Sequence, residues 1–232
     1  MAILLRSTGL AGYENLARSL GLDARRELKR VGLSANMLAD PDALIPYVAV
    51  VNLLERSAQA SNCPDFGLRL SELQGLDILG PVAVLIRNAP TLGEAMQLAS
   101  QFVFVHSPAI QLDVGPADGA PAFVDLSFGI NIPNLPPCAQ TCELALGIII
   151  QALRLLGGGT SPPWSHSCRI ADTDRRPAIP EPMAVIAVLK IRTQQSGFRR
   201  PVFNVHCRTT IQCCWTWRGP TSSRNLANRG SC

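Results

Sequence analysis

Apolar side chains recur every three or four positions through the first hundred residues, in six segments separated by turn-forming residues. This spacing places the apolar side chains of each segment along one face of a helix. The pattern therefore predicts six amphipathic helices, at 10–20, 23–30, 47–58, 64–73, 81–87 and 91–102.

Local start and stop signals support these helices. Asp23 stands before the second helix as an N-cap, and Gly21 ends the first. Pro81 suits the first position of its helix, because proline lacks the N–H that has no helical partner there. Thr91 and Glu94 have the spacing of a capping box, in which the threonine hydroxyl accepts the Glu94 N–H and the Glu94 carboxylate accepts the Thr91 N–H.

The hydrophobic period changes from helical to alternating after the helical half. Apolar residues alternate with polar or small ones at 110–114 and again at 122–128, and glycine and proline separate the two runs. This predicts an antiparallel hairpin. An apolar stripe then predicts a long helix at 139–156, ended by the glycines at 157–159. The predicted fold class is α+β: a helical N-terminal half, then an antiparallel hairpin and a long helix.

Beyond Trp164 neither period is clear, apart from one strand or buried segment at 184–191. The composition changes at the same place. Residues 1–164 carry 10 Lys and Arg against 14 Asp and Glu, whereas residues 165–232 carry 11 against 3 and hold five of the eight cysteines. We therefore predict an ordered domain at 1–164, followed by a basic, Cys-rich and largely irregular tail at 165–232.

Composition and hydropathy narrow the class of protein. The chain has 232 residues, of which 47% are apolar and 16% charged, so it can bury a core. Its longest apolar run, 144–156, is shorter than a membrane span needs, and the N-terminus lacks an apolar secretory core. These features predict a cytoplasmic protein without membrane contact, in which the cysteines do not form disulfides.

The sequence contains no motif typical of catalysis or metal binding. It has no glycine-rich phosphate loop, nucleophile elbow or zinc-protease motif, and no nucleophile can be paired with a base. Cys138 and Cys142 lie four residues apart, which favours two buried thiols on one helix face over half of a zinc site. The His and Cys residues of the tail match no zinc-finger spacing. We expect no enzymatic activity, no cofactor and no metal.

Arg87 and His106 flank the helix that begins near Thr91. A cationic pair beside an apolar helix can receive an anionic ligand, so these two are the candidate ligand-binding residues. The alternative is a solvated arginine at a helix end and a polar residue at a junction between helix and strand. The sequence leaves both interpretations open.

An ordered series of short motifs resembles one known family. The motifs are Gly21-Leu22-Asp23, Asp40-Pro41-Asp42 with Ile45-Pro46, Phe66-Gly67-Leu68-Arg69-Leu70, Leu79-Gly80-Pro81 and Ala89-Pro90-Thr91-Leu92-Gly93-Glu94-Ala95. Over about residues 10–164, the series is similar to the N-terminal, arabinose-binding-type sensory domain of AraC-family transcriptional regulators. The resemblance implies a cytoplasmic bacterial regulator. Its sensory domain would bind a small effector, often dimerise, and be joined to a C-terminal domain with two helix-turn-helix units that contacts DNA.

Two features depart from the pattern of that family. The likeness stops near Trp164, where the sensory domain would continue through further strands, and no helix-turn-helix pattern follows. We therefore expect an incomplete sensory domain without its own DNA-binding domain. It would form homodimers, or mixed dimers with an intact relative, and would reach DNA only through a domain supplied elsewhere. The domain would lack strands that pair with 110–114 or with 122–128 of the hairpin, which would leave backbone donors exposed.

A change of reading frame just after Trp164 is one hypothesis that accounts for both departures. A GC-rich gene read out of frame yields Arg, Pro, Ser, Cys and Trp and loses acidic residues, as residues 165–232 do. The alternative is a DNA-binding regulator whose basic tail binds phosphates, with an affinity that falls steeply as salt rises. We expect another frame after codon 164 to encode further strands and a helix-turn-helix. Sequencing the gene tests this, and the hypothesis is wrong if neither other frame encodes them.

Overall fold

The computed structural model describes residues 2–116 and 123–156, and beyond them the backbone of four strand segments. Short 3-10 helices at Ser7–Leu10, Leu76–Leu79 and Val103–Val105 connect longer elements. The α-helices of the described residues are α1 (Tyr13–Ser19), α2 (Ala24–Arg30), α3 (Ala35–Ala39), α4 (Tyr47–Ser61), α5 (Phe66–Glu72), α6 (Pro81–Arg87), α7 (Leu92–Phe102) and α8 (Ala139–Leu156).

The strands of the described residues form one main sheet and two small ones. In chain order the strands are β1 (Leu4–Arg6), β2 (Leu44–Pro46), β3 (Ile110–Pro116), β4 (Phe123–Ile130), β5 (Arg169–Ile170), β6 (Ile186–Arg192), β7 (Val205–His206) and β8 (Arg208–Thr209). The main sheet is antiparallel and has the order β3–β4–β6–β7. The strands β1 and β2 pair antiparallel, and β5 and β8 pair parallel.

The predicted α+β fold class is confirmed. The six predicted helices correspond to α1, α2 and α4 to α7, the hairpin to β3 and β4, and the long helix to α8. The hairpin loop at 117–122 and the glycines at 157–159 lie outside the described residues.

Four of the predicted helix signals are confirmed, at Asp23, Thr91, Pro81 and Gly21. The Asp23 carboxylate accepts the Arg26 N–H at 3.1 Å, and the Thr91 hydroxyl accepts the Glu94 N–H at 3.2 Å. Pro81 is the first residue of α6. Gly21 follows α1 with a φ of 78°, the left-handed conformation in which a helix commonly ends.

The sequence pattern does not predict β1, β2 or α3, because elements of three to five residues are too short to show a period. Distant partners hold β1 in place. The Ser107 hydroxyl donates to the Leu4 carbonyl at 2.8 Å, and the Arg6 N–H donates to the His106 carbonyl at 3.2 Å. These bonds hold β1, in the N-terminal segment, next to the residues that precede β3.

The strand β4 has a neighbour on each side. Its pairing with β6 runs from Phe123 opposite Arg192 to Gly129 opposite Ile186. The expectation of a missing neighbour therefore does not hold for β4, whereas β3 is an edge strand of the main sheet as described. The strand β6 coincides with the one tail segment that the sequence identified, 184–191. Most of the tail predicted to be irregular lies outside the described residues.

Helix α8 is apolar over most of its surface. It has 18 residues and a mean hydropathy of 1.4, and is the one described helix long and apolar enough to cross a membrane. The expectation that its apolar run is too short for a span is thus wrong as an argument from length. In this fold α8 packs against α4 and α5, as the core helix of a globular domain does.

The core of the helical half is built around α4. Tyr47 and Leu54 of its predicted stripe are fully buried. The Tyr13 hydroxyl, from α1, forms a hydrogen bond of 2.9 Å with the Ser57 hydroxyl of α4, and the Tyr13 ring centroid lies 6.1 Å from that of Phe66 in α5. One buried tyrosine therefore joins three helices.

Helices α5 and α8 cross with almost no side chain between them. A methyl group on Gly67 would overlap the backbone carbonyl of Gln140, and one on Gly147 would overlap the Ser71 side chain. Glycine inside a helix costs about 1 kcal/mol relative to alanine. The close approach is a physical reason for glycine at both positions.

Two glutamines of α8 add hydrogen bonds to this crossing. The Gln140 side chain accepts the Gly67 N–H at 2.8 Å and donates to the Pro64 carbonyl at 2.8 Å. The Gln151 side chain donates to the Ser71 carbonyl at 2.5 Å. Because Gly67 lies in the first turn of α5 and Ser71 in its last, α8 holds both ends of the shorter helix.

Two carboxylates lie near the N-terminus of α8. Glu55 accepts the Gln140 N–H at 2.7 Å, as a carboxylate near the positive end of a helix dipole does. Glu143 has a buried Oε2 without a hydrogen-bond partner among the described residues. Burial, with the charges of Glu55 and Asp65, raises the pKa of Glu143 to about 7.

Replacing Gly67 or Gly147 by alanine should destabilise the domain. Each change adds a methyl group where the neighbour is held by its own helix, so we expect a loss of about 2–3 kcal/mol in the free energy of unfolding. Gly93→Ala is a matched control, because the nearest atom to a methyl group there is the Thr91 hydroxyl at 3.9 Å. That change should be neutral or stabilise by up to about 1 kcal/mol. Urea unfolding measures all three variants, and equal effects would contradict the close crossing.

Glu143→Gln should change how stability depends on pH. The pKa of Glu143 is about 7 in the fold against an ordinary value of 4.5, so its stabilising contribution is complete below pH 4.5 and lost as pH rises through 7. Glutamine does not titrate, so the variant does not lose this stabilising contribution as the pH rises. The variant should exceed the wild type by about 1–2 kcal/mol at pH 8, allowing for partial exposure, and match it near pH 4.5. Urea unfolding at the two pH values measures the difference, with exposed Glu72→Gln as the control. The same difference at both would contradict the assignment.

Candidate functional site

The described residues line a cavity of about 100 Å³ between the main sheet and the helices. Helices α6, α7 and α8 form one side of it, and β3 and β4 form the other. The residues that line it are Leu76, Ile78, Leu79, Val82, Ile86, Met96, Ala99, Val103, His106, Ile110, Leu112, Leu126, Phe128, Ala145, Ile148, Ile149 and Ala152.

Regular spacing brings these side chains to the cavity. The residues from α8 follow the i, i+3, i+4, i+7 pattern of one helix face, and those from β3 and β4 are alternate strand positions. The helices present alanine at three lining positions, Ala99, Ala145 and Ala152. These short side chains leave space that a leucine would fill.

His106 is the one polar residue among the described lining residues, which include no Asp, Glu, Lys or Arg. It follows the 3-10 helix Val103–Val105 and is only 6% exposed. Its Nδ1 atom is buried and has no hydrogen-bond partner in the described part of the protein. A buried nitrogen in this state costs about 1–3 kcal/mol, so most such atoms in folded proteins have a partner.

The His106 imidazole is neutral at neutral pH. Burial is the main cause that lowers its pKa to about 4, and the positive charge of Arg6 acts in the same direction. A backbone hydrogen bond with Ile78 opposes both. The Arg6 guanidinium pairs with Asp42 at 2.5 Å. The described residues that line the cavity therefore carry no net charge at neutral pH.

Arg87 is not among the described residues that line the cavity. Its guanidinium pairs with Asp77 at 2.7 Å, and its side chain is 43% exposed. The structure places Arg87 at the end of α6 and His106 beside the cavity, so the two do not come together as a cationic pair. A ligand-binding role for either residue stays a prediction.

The cavity itself is not evident from the sequence. Its lining comes from several elements that only the fold brings together. One signal was available in α8, which is apolar on more than one side. Leu146 and Leu153 are buried, while Ile148 and Ile149 line the cavity. A helix that is apolar all round packs on two surfaces, and the second surface here is the cavity.

The Cys138 and Cys142 side chains are buried, as predicted for two thiols on one helix face. Their sulfur atoms lie 4.0 Å apart. Across the described ranges, no three His, Cys, Asp or Glu side chains are grouped so that they could hold a metal ion. The cavity beside His106 is therefore the candidate site.

Comparison with known proteins adds two findings. Residues 21–165 match the family described as the arabinose-binding domain of AraC transcription regulator, N-terminal. The chain is also 40% identical over 155 residues to the HTH-type transcriptional regulator VirS of Mycobacterium tuberculosis, in strains CDC 1551 / Oshkosh and ATCC 25618 / H37Rv. That alignment covers 67% of this chain but 45% of the relative, so the chain spans less than half the length of the relatives it matches.

The family match confirms the resemblance seen in the sequence motifs. It ends at residue 165, next to the Trp164 at which the sequence pattern changes. It includes all the described residues that line the cavity. The chain therefore belongs to the family of N-terminal arabinose-binding domains of AraC transcription regulators.

Proposed function

We propose that this domain senses a small molecule, which binds in the cavity between the main sheet and helices α6, α7 and α8. The observation that carries the proposal is the cavity itself, about 100 Å³ and lined by residues of the hydrophobic core and residues packed against it. A ligand with an apolar body would remove the apolar walls of this cavity from water, which favours binding. Membership of a family of regulatory domains supports this interpretation.

The position of the cavity suits a sensory role. A ligand there would contact three helices and two strands at once. It would stabilise the arrangement in which those elements are packed together over any arrangement in which they separate. Binding would therefore also affect the packing of α4 and α5, because α8 packs against both helices.

The remaining parts of the proposed function concern partners and place of action. We propose a non-catalytic domain that acts in the cytoplasm and associates with a second copy or with a related chain. The relatives are named as HTH-type regulators, so DNA contact is proposed to come from a helix-turn-helix domain supplied elsewhere. The basic residues 165–232 are the alternative source of DNA contact, and a steep loss of DNA affinity with salt would identify it.

Filling the cavity should block ligand binding without unfolding the domain. Ala99 and Ala152 line the cavity from different helices and are buried, so Ala99→Leu and Ala152→Leu place extra methyl groups in empty space. Toluene is a suitable probe, because benzene-sized molecules enter apolar cavities of this order. At ten times its Kd, it should stabilise the wild type by about 1.4 kcal/mol. Methyl NMR titration and thermal unfolding measure binding and stability in parallel.

Val84→Leu is the matched control for these variants. Val84 lies on α6 between two lining residues but is 62% exposed, so a leucine there should leave toluene binding unchanged. The proposal fails if toluene does not bind the wild type. It also fails if toluene binds both cavity-filled variants as tightly as it binds the wild type.

A further inference from the structure

The His106 ring offers its two nitrogens to different surroundings. A hydrogen bond between the ring and the backbone of Ile78 favours the protonated ring, which means that the ring N–H donates to the Ile78 carbonyl. Because Nδ1 has no partner among the described residues, this bond falls to Nε2. A methyl group on Gly9 would lie 3.6 Å from Nε2, which places that nitrogen toward the N-terminal segment.

This arrangement determines what Nδ1 can do. In a neutral imidazole one nitrogen carries the proton and the other has a bare lone pair. With the proton on Nε2, Nδ1 is an acceptor without a donor, in a residue that lines an otherwise apolar cavity. A ligand with an N–H or O–H group would supply that donor.

Charge in and around the cavity limits the ligand further. The nearby Arg6 guanidinium pairs with Asp42, and Arg87 pairs with Asp77 outside the described lining. An anionic ligand would lose its hydration and find no Lys or Arg among the described lining residues, and a cationic ligand would find no carboxylate there. Either transfer is strongly unfavourable, whereas an apolar body suits the aliphatic walls.

We propose that the effector is an uncharged, mainly apolar molecule with one hydrogen-bond donor, such as a hydroxyl group, and that His106 Nδ1 accepts its proton in a hydrogen bond. The enclosed part of this molecule is a ring or short chain of roughly six to eight non-hydrogen atoms, as the cavity volume requires. The inference rests on the proposed function, since it names the ligand class for the same cavity. It replaces the anionic ligand that a cationic Arg87 and His106 pair would bind.

Four probes of similar size separate the possible ligand classes. Phenol has a ring and a donor, anisole has the ring and an acceptor only, toluene has neither, and benzoate is an anion. At pH 7.5 we expect phenol to bind the wild-type chain about tenfold more tightly than anisole, because only phenol can donate to Nδ1. We expect benzoate to bind at least about a hundredfold more weakly than phenol. Methyl NMR titration gives each Kd.

Two variants test the role of His106. His106→Leu keeps the wall apolar and removes the acceptor, so the preference for phenol over anisole should disappear while toluene still binds. Arg87→Leu is the matched control, and the preference for phenol should be unchanged there. The ¹⁵N spectrum of the wild-type protein gives a readout that does not depend on the variants. Nδ1 should resonate as an unprotonated nitrogen in the free protein and should shift with phenol but not with toluene.

The results distinguish failure of this inference from failure of the proposed function. If toluene binds but phenol shows no preference that depends on His106, the ligand class is wrong and the cavity remains a binding site. Benzoate binding as tight as phenol binding, or a protonated Nδ1 in the free protein, would overturn the inference in the same way. If none of the four probes binds, the proposed function itself fails.

Discussion

The close crossing of α5 and α8 is the constraint on which the rest of the structure depends. Glycines at Gly67 and Gly147 allow the two backbones to approach, and glutamine side chains of α8 bond to both ends of α5. With one side held against α5, the orientation of α8 is set, and its opposite apolar residues must face the main sheet. The cavity lies at that interface, where α8 contributes two alanines, Ala145 and Ala152, to its lining.

Backbone hydrogen bonds hold the segment that carries His106 in position. Its N–H donates to the Val103 carbonyl at 2.9 Å, and its carbonyl accepts the Arg6 N–H at 3.2 Å. These two bonds join the backbone of His106 to the 3-10 helix Val103–Val105 and to β1. They place the imidazole at the cavity wall. This explains how a polar atom can remain without a partner in an apolar site. The surrounding backbone hydrogen bonds compensate for the free energy lost by leaving Nδ1 without a partner, as is usual at functional sites.

Much of the helical half could be predicted from the sequence, because its signals are local. Asp23, Pro81 and Thr91 act within one turn of the chain, and the apolar stripes repeat within one helix. The pairing of β4 with β6 could not be predicted, since it joins segments about sixty residues apart along the chain and β6 lies where the composition is unusual. Of the described residues that line the candidate site, the sequence analysis named only His106 as a ligand-binding candidate. Its apolar walls resemble any other core positions until the fold shows that they enclose a space.

Two titratable side chains with shifted pKa values, the partly buried Glu143 and the buried His106, respond to acid in opposite directions. Their pKa values, about 7 for Glu143 and about 4 for His106, are displaced toward each other's usual range by the same cause, burial. Between about pH 4.5 and 6.5, acidification favours folding through the carboxyl group and opposes it through the imidazole. The two proton linkages largely cancel across that interval. The combined contribution of these two groups to stability therefore changes little with moderate acid, although each contribution by itself depends on pH.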